Sequence, residues 1–133
     1  MYTHETCVTL HDTDASGLIY FAHLPRMAHV AFETYLETEG LGVAGILAAE
    51  DFLLPIVHVE ADYRAAIRLG DRLTIALTSG RAGHTSISLS FRFLNADGKE
   101  VATVRSVHVS IDFKTRKKIP VPDRLRRALA DLD

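Results

Sequence analysis

Between residues 11 and 25 the chain reads His11-Asp12-Thr13-Asp14-Ala15-Ser16-Gly17-Leu18-Ile19-Tyr20-Phe21-Ala22-His23-Leu24-Pro25. Two carboxylates, a histidine and a glycine stand ahead of an apolar and aromatic run that enters a helical pattern. The start of a helix presents unpaired backbone N–H groups and a partial positive charge. Both polarise a carbonyl and hold the oxyanion it becomes. A carboxylate a few residues upstream can fold back toward that carbonyl. An attacking or base group beside an oxyanion donor is what acyl transfer requires. Asp and Gly ahead of a helix serve as caps and turns in most proteins, so on these residues alone both readings stand.

The elements that would position the segment follow from periodicity. Leu24, Met27, Ala28, Ala31 and Tyr35 recur at three and four, with Arg26, His29, Glu33 and Glu37 on another face. This predicts an amphipathic helix of about four turns, with Pro25 in its first turn and Gly40 at its end. A shorter helical turn is expected around 43–49, and a terminal helix from Pro122 to Leu132. Ile87, Leu89, Phe91 and Phe93 alternate with Ser86, Ser88, Ser90 and Arg92, the pattern of a strand with one dry and one wet face. Asn95-Ala96-Asp97-Gly98 is a turn, and Val101 to Ile111 reads as the returning strand, its end alternating at Val107, Val109 and Ile111. Leu73, Ile75 and Leu77 mark one further strand; Val57, Val59, Ala61 and Tyr63 mark another; His4, Thr6, Val8 and Leu10 suggest a first. The short connections at Gly70-Asp71 and at Gly80 to Gly83 predict antiparallel neighbours. One helix should cover the dry face and leave the serine-lined face outside or in a subunit contact.

The 133 residues, 47% hydrophobic, suit a single domain spanning 1–133. Fifteen basic against seventeen acidic residues, a net charge of −2, give no basic stripe and argue against nucleic acid as partner. One cysteine, Cys7, rules out an intrachain disulfide and any multi-cysteine zinc site, and suits a small apolar filler. No apolar run reaches membrane-spanning length and the first residues lack signal-peptide character, so no membrane and a cytoplasmic location are expected.

The stretch Asp12-Thr13-Asp14-Ala15-Ser16-Gly17-Leu18-Ile19-Tyr20-Phe21 resembles the signature loop of hotdog-fold acyl-CoA thioesterases of the 4-hydroxybenzoyl-CoA thioesterase type. Their pattern is D-x-D-x-x-G, two apolar residues, an aromatic pair, then the helix. His11-Asp12-Thr13-Asp14 is also similar to the loop of 1,4-dihydroxy-2-naphthoyl-CoA hydrolases. Tyr63-Arg64 to Gly70-Asp71, Asn95 to Asp112 and Ile119-Pro120-Val121-Pro122 extend the likeness over nearly the whole chain. The resemblance implies an α+β hotdog domain, a five-stranded antiparallel sheet wrapped around one long central helix. It also implies dimers, often paired into homotetramers, with sites at the subunit boundary.

Carried over by position, the resemblance makes Asp14 the nucleophile or general base and the Phe21 backbone N–H the group on the thioester carbonyl. Gly17 lets the loop turn back, and Tyr20 lies toward substrate. Relatives often carry Asn where this chain has His23, with Pro25 two residues on, which leaves His23 as a substrate contact or a helix-cap residue. His11 reads equally as an orienter of Asp14 or as a strand-end residue. Glu33, on a face with Arg26, His29 and Glu37, reads as part of a solvated or interface surface. His58, His84 and His108 have no metal-like pairing, so no metal is expected, and no redox cofactor either. Lys114, Arg116 and Lys117 belong to the densest basic run and are the best local offer for coenzyme A phosphates.

The expected activity is hydrolysis of an acyl-CoA thioester, an aromatic acyl group being favoured by the resemblance, to the acid and coenzyme A. A hotdog dehydratase, a non-catalytic acyl-CoA-binding module and a purely structural protein are the rivals. Thiol release that depends on Asp14 separates them.

Overall fold

The computed structural model describes residues 1–132. Strand β1 (Tyr2–Cys7) leads through a 3-10 turn at Leu10–Asp12 and the signature loop into helix α1 (His23–Thr38). Helix α2 (Val43–Ala48) and strands β2 (Phe52–Leu53), β3 (Ile56–Tyr63), β4 (Arg72–Ala82), β5 (Ser86–Leu94), β6 (Glu100–Val109) and β7 (Ile111–Asp112) follow. Helix α3 (Asp123–Ala130) ends the described chain.

Five strands form one antiparallel sheet in the order β1-β4-β5-β6-β3, while β2 and β7 pair separately. The expectation that Gly70-Asp71 joins two neighbouring strands is therefore corrected. β3 pairs with β6 at one edge, and β4 lies between β1 and β5. The connection crosses the sheet because residues 64–71 leave the β3 edge and dock against the signature loop. Gly80 is not in a turn but inside β4. A Cβ there would come within 2.8 Å of Leu129 and 2.9 Å of Leu132, so its missing side chain lets α3 lie close to the strand.

The dry face of β5 is as the alternation predicts: Ile87, Leu89, Phe91 and Phe93 are buried. Its neighbour reverses the expectation. In β6 the inward positions are Ala102, Val104, Ser106 and His108, opposite Phe93, Phe91, Leu89 and Ile87, while Val107 and Val109 face outward. The polar pair Ser106 and His108 is tolerated inside because each meets a partner there.

The sixteen-residue α1 buries Leu24, Met27, Ala28, Ala31, Phe32, Tyr35 and Leu36 against this face. Its end is a Schellman cap, with Gly40 N–H donating to Glu37 O and Leu41 N–H donating to Leu36 O at 2.8 Å. The expectation of one long central helix is modified, because α2 and α3 share the helical side with α1. Tyr35 Oη, 2.5 Å from Ala128 O, fastens α1 to α3. The serine-lined face carries no helix. Cys7 lies on it, exposed, and is not the buried filler expected. Leu10, also expected in a strand, is exposed in the 3-10 turn. No helix among the described residues is long and apolar enough to cross a membrane.

Candidate active site

The signature segment folds as a small hairpin. Tyr20 N–H donates to Asp12 O at 2.9 Å, Thr13 bridges Ile19, and Asp14 N–H donates to Leu18 O at 3.0 Å. Asp14-Ala15-Ser16-Gly17 is the turn, closed by Gly17 N–H to Asp14 O at 3.1 Å. Gly17 sits at φ +78 with open space around it, so the demand for glycine is conformational rather than steric. The second hairpin strand docks on residues 67–69, with Ile19 N–H donating to Ile67 O and Leu69 N–H to Gly17 O. The loop is thus a β-ladder anchored on the crossover segment.

The two aspartates have opposite environments. Asp12 is buried; its Oδ2 accepts from Thr9 N–H and Thr9 Oγ1, both at 2.9 Å, and its Oδ1 meets Arg26 at 2.7 Å. Burial raises its pKa, but the Thr9 hydrogen bonds and the Arg26 charge more than offset that and hold it below the usual carboxylate range. Asp14 is exposed at the hairpin tip. Ser16 donates to its Oδ1 from the backbone at 2.8 Å and also from the hydroxyl, which holds this carboxyl low as well. Asp14 is therefore a fixed, ionised, solvent-facing carboxylate.

At the foot of the hairpin the chain turns into α1. Tyr20 and Phe21 are exposed, Phe21 at 66%. Tyr63, at the end of β3, donates its hydroxyl to Phe21 O. Neither the Phe21 nor the Ala22 N–H meets a protein acceptor among the described residues. Asp14 stands two ladder steps from the Asp12–Tyr20 pair, roughly 7 Å along the hairpin.

Asp14, Gly17, Tyr20 and Phe21 are thus gathered on one small structure. His11 and His23 meet each other, their ring centres 5.4 Å apart, and His23 also contacts Tyr20 and takes a hydrogen bond from Arg26. His11 has no hydrogen bond to Asp14 among the described residues. Lys114, Arg116 and Lys117 are not brought to the loop. They follow β7, beyond the end of β6 that pairs with Ser86, whereas the loop lies at the end marked by Arg72, Leu94 and Glu100. The nine residues of β5 put about 30 Å between those ends. Lys114 pairs with Glu50, and Arg116 lies over the Phe113 ring. No group of three or more His, Cys, Asp or Glu residues arranged for a metal occurs among the described residues.

A groove of about 350 Å³ runs from Pro25 and Arg26 along the flank of α1 that faces β3 and β6. His29, Glu33, Ser106 and His108 line it. His29 and Glu33 are partly exposed, in line with a solvated or interface face, and they line this groove as well, together with His108, to which the sequence reading gave no role. The alternation of Val107, Val109 and Ile111 assigns the opposite parity to the core, so the sequence carries no clear signal for Ser106 and His108.

The family model of the Thioesterase-like superfamily matches residues 8–129. A 1,4-dihydroxy-2-naphthoyl-CoA hydrolase from Synechocystis is 35% identical over 133 residues, covering 99% of this chain and 96% of its own. Its counterpart in Synechococcus elongatus is 32% identical over 126 residues, with 94% and 92% covered. The crystal structure of a 1,4-dihydroxy-2-naphthoyl-CoA thioesterase from Synechocystis matches with a TM-score of 0.91 at 35% identity, over 99% of this chain and 97% of that one.

Proposed function

The chain belongs to the Thioesterase-like superfamily of hotdog enzymes, and from that membership we propose that it hydrolyses an acyl-CoA thioester whose acyl group is aromatic, of the hydroxybenzoyl or dihydroxynaphthoyl type. The products are the carboxylic acid and coenzyme A. The relatives named above carry that chemistry in their names. The observation that carries the reading is the pairing of an ionised, solvent-facing Asp14 with the unpartnered Phe21 N–H at the start of α1.

The thioester carbonyl accepts a hydrogen bond from Phe21 N–H, backed by the positive end of α1, and the charge that develops on its oxygen is held there. Asp14 then acts on the carbonyl carbon in one of two ways. It attacks, expelling the thiolate and leaving an anhydride that water opens, or it takes a proton from an attacking water. Either route consumes one water. Ser16 fixes the carboxylate for both. Tyr20, Phe21 and His23 form the aromatic rim past which the substrate enters.

The working unit is a dimer or a dimer of dimers. β3 is a sheet edge paired on one side only, and it exposes Ile56, Val57, Val59 and Tyr63. Such an edge invites pairing with a second copy. An antiparallel two-fold pairing reverses the partner strand and sets the second copy's basic turn at Lys114–Lys117 beside this chain's loop. That removes the 30 Å separation and gives the coenzyme A phosphates a cationic seat.

The test is release of thiol from a panel of aromatic and aliphatic acyl-CoA esters by wild type and Asp14→Asn. Release from aromatic esters by wild type alone supports the reading. Binding without thiol release would make the protein an acyl-CoA-binding module.

A further inference from the structure

The groove beside α1 is walled by Phe32, Ile56, Val59, Leu89, Phe91 and Val104, and its polar groups are few. Arg26 stands at the mouth, tied to Asp12. His29, Glu33, Ser106 and His108 complete the lining, Ser106 and His108 buried, His29 and Glu33 partly open to solvent. Their partners fix where the hydrogens are. Leu54 O can only accept, so His108 Nδ1, at 3.1 Å, carries the hydrogen. His108 Nε2 is then an acceptor, and the Ser106 hydroxyl donates to it at 3.0 Å. His108 is almost wholly buried, and burial lowers its pKa, in keeping with a neutral ring. On α1, Glu33 Oε1 lies 3.0 Å from His29 Nδ1. In the neutral imidazole the carboxylate holds the hydrogen on Nδ1 and leaves Nε2 as a lone pair. The two imidazoles stack with centres 6.0 Å apart and planes at 20°.

The apolar groove therefore offers lone pairs, at His29 Nε2 and Ser106 Oγ, with the Glu33 carboxylate beside them. Lone pairs attract an uncharged donor and repel an anion. His29 lies six residues beyond His23, about 9 Å along the axis from the start of α1. Building on the hydrolase reading above, we infer that His29, oriented by Glu33 and seconded by Ser106, accepts a hydrogen bond from a hydroxyl on the far side of the acyl ring. It thereby selects hydroxylated aromatic acyl groups over unsubstituted ones and over those bearing a carboxylate. A site built to pair a hydroxyl discriminates against an analogue without one, because its own polar groups are left unmatched.

The experiment compares kcat/KM for benzoyl-CoA and its ring-hydroxylated counterparts in wild type, His29→Phe, Ser106→Ala and Glu33→Gln. His29→Phe keeps a flat ring and removes the acceptor. It should cut the hydroxylated-to-unsubstituted ratio of kcat/KM about tenfold. Glu33→Gln is a surface change that can donate to Nδ1 and turn the Nε2 lone pair into a donor, so it should lower the same ratio without loss of folding. A ratio unchanged in both His29→Phe and Glu33→Gln, with hydrolysis intact, overturns the inference while leaving the hydrolase reading standing. No thiol release from any ester by wild type would overturn the hydrolase reading itself.

Discussion

The Asp12 carboxylate and the Arg26 guanidinium meet at 2.7 Å. Through that pair, the loop that carries Asp14 is fastened to the first turns of α1. The motif's two aspartates thereby divide the labour, one building the hairpin and the other standing free at its tip.

Exchanging each aspartate should separate these roles. Asp14→Asn keeps the shape and removes the charge. Turnover should fall at least about a hundredfold, as when a positioned acid–base group is lost, with melting unchanged. Asp12→Ala removes a buried acceptor of three hydrogen bonds and should cost about 2 kcal/mol of stability. Thermal melts and thiol-release rates on both proteins check this. A fully active, normally folded Asp14→Asn sinks the mechanism.

Stability should follow Asp12 at low pH. Its folded-state pKa is depressed below the ordinary value of 3.8, so its contribution is complete above that value and is lost as pH falls through the lower, folded-state pKa. The gap in melting temperature between wild type and Asp12→Asn should be widest near neutrality and close below about pH 4. A gap constant with pH would show that the charge is not what holds the loop.

Much of this was legible in the sequence. The helix α1 is announced by its three-and-four spacing, and the turning back of the loop at Gly17 by the family resemblance, whereas the β-ladder within that loop is seen only in the structure. The face of β6 was not legible, because Val107 and Val109 look like core residues, yet their β-branched side chains also suit an exposed strand surface. Ser106 and His108 look like surface residues, yet they satisfy each other and the Leu54 carbonyl inside. The crossing from β3 to β4 was hidden because a short connection says nothing of the docking partner waiting for residues 67–69.

Gly17→Ala should act through the backbone alone. No atom lies within 4 Å of a Cβ at that position, so the cost is that of a left-handed residue, about 1–2 kcal/mol. Relief of that strain would open the turn that holds Asp14 against Ser16. Activity should therefore fall by more than the stability loss explains at a temperature where the variant is fully folded. Unaltered kcat would mean the turn's geometry is irrelevant to the chemistry.

Replacing Lys114, Arg116 and Lys117 together with Ala should raise KM for acyl-CoA and flatten its dependence on salt, while kcat stays near wild type. Two of the three already have partners, Lys114 in Glu50 and Arg116 in the Phe113 ring, which positions them rather than spends them. An unchanged KM would reduce the run to a solvated turn.

The last prediction concerns assembly. Val57 lies in β3, 60% exposed, at the register shift between Ile56 and His58, and it does not line the groove. Lys in its place leaves Asp14, Phe21 and the groove untouched but puts a charge where two copies would pair edge to edge. Wild type should scatter light as a species of at least twice the 14.7 kDa chain mass, and Val57→Lys as the single chain. If the basic turn of one copy serves the loop of the other, the monomer should also lose its hold on coenzyme A, raising KM as the triple Ala variant does. Combining Val57→Lys with the triple Ala exchange should then add little, because both act on one shared seat. A wild-type protein that is monomeric and fully active at assay concentration would refute the shared site outright.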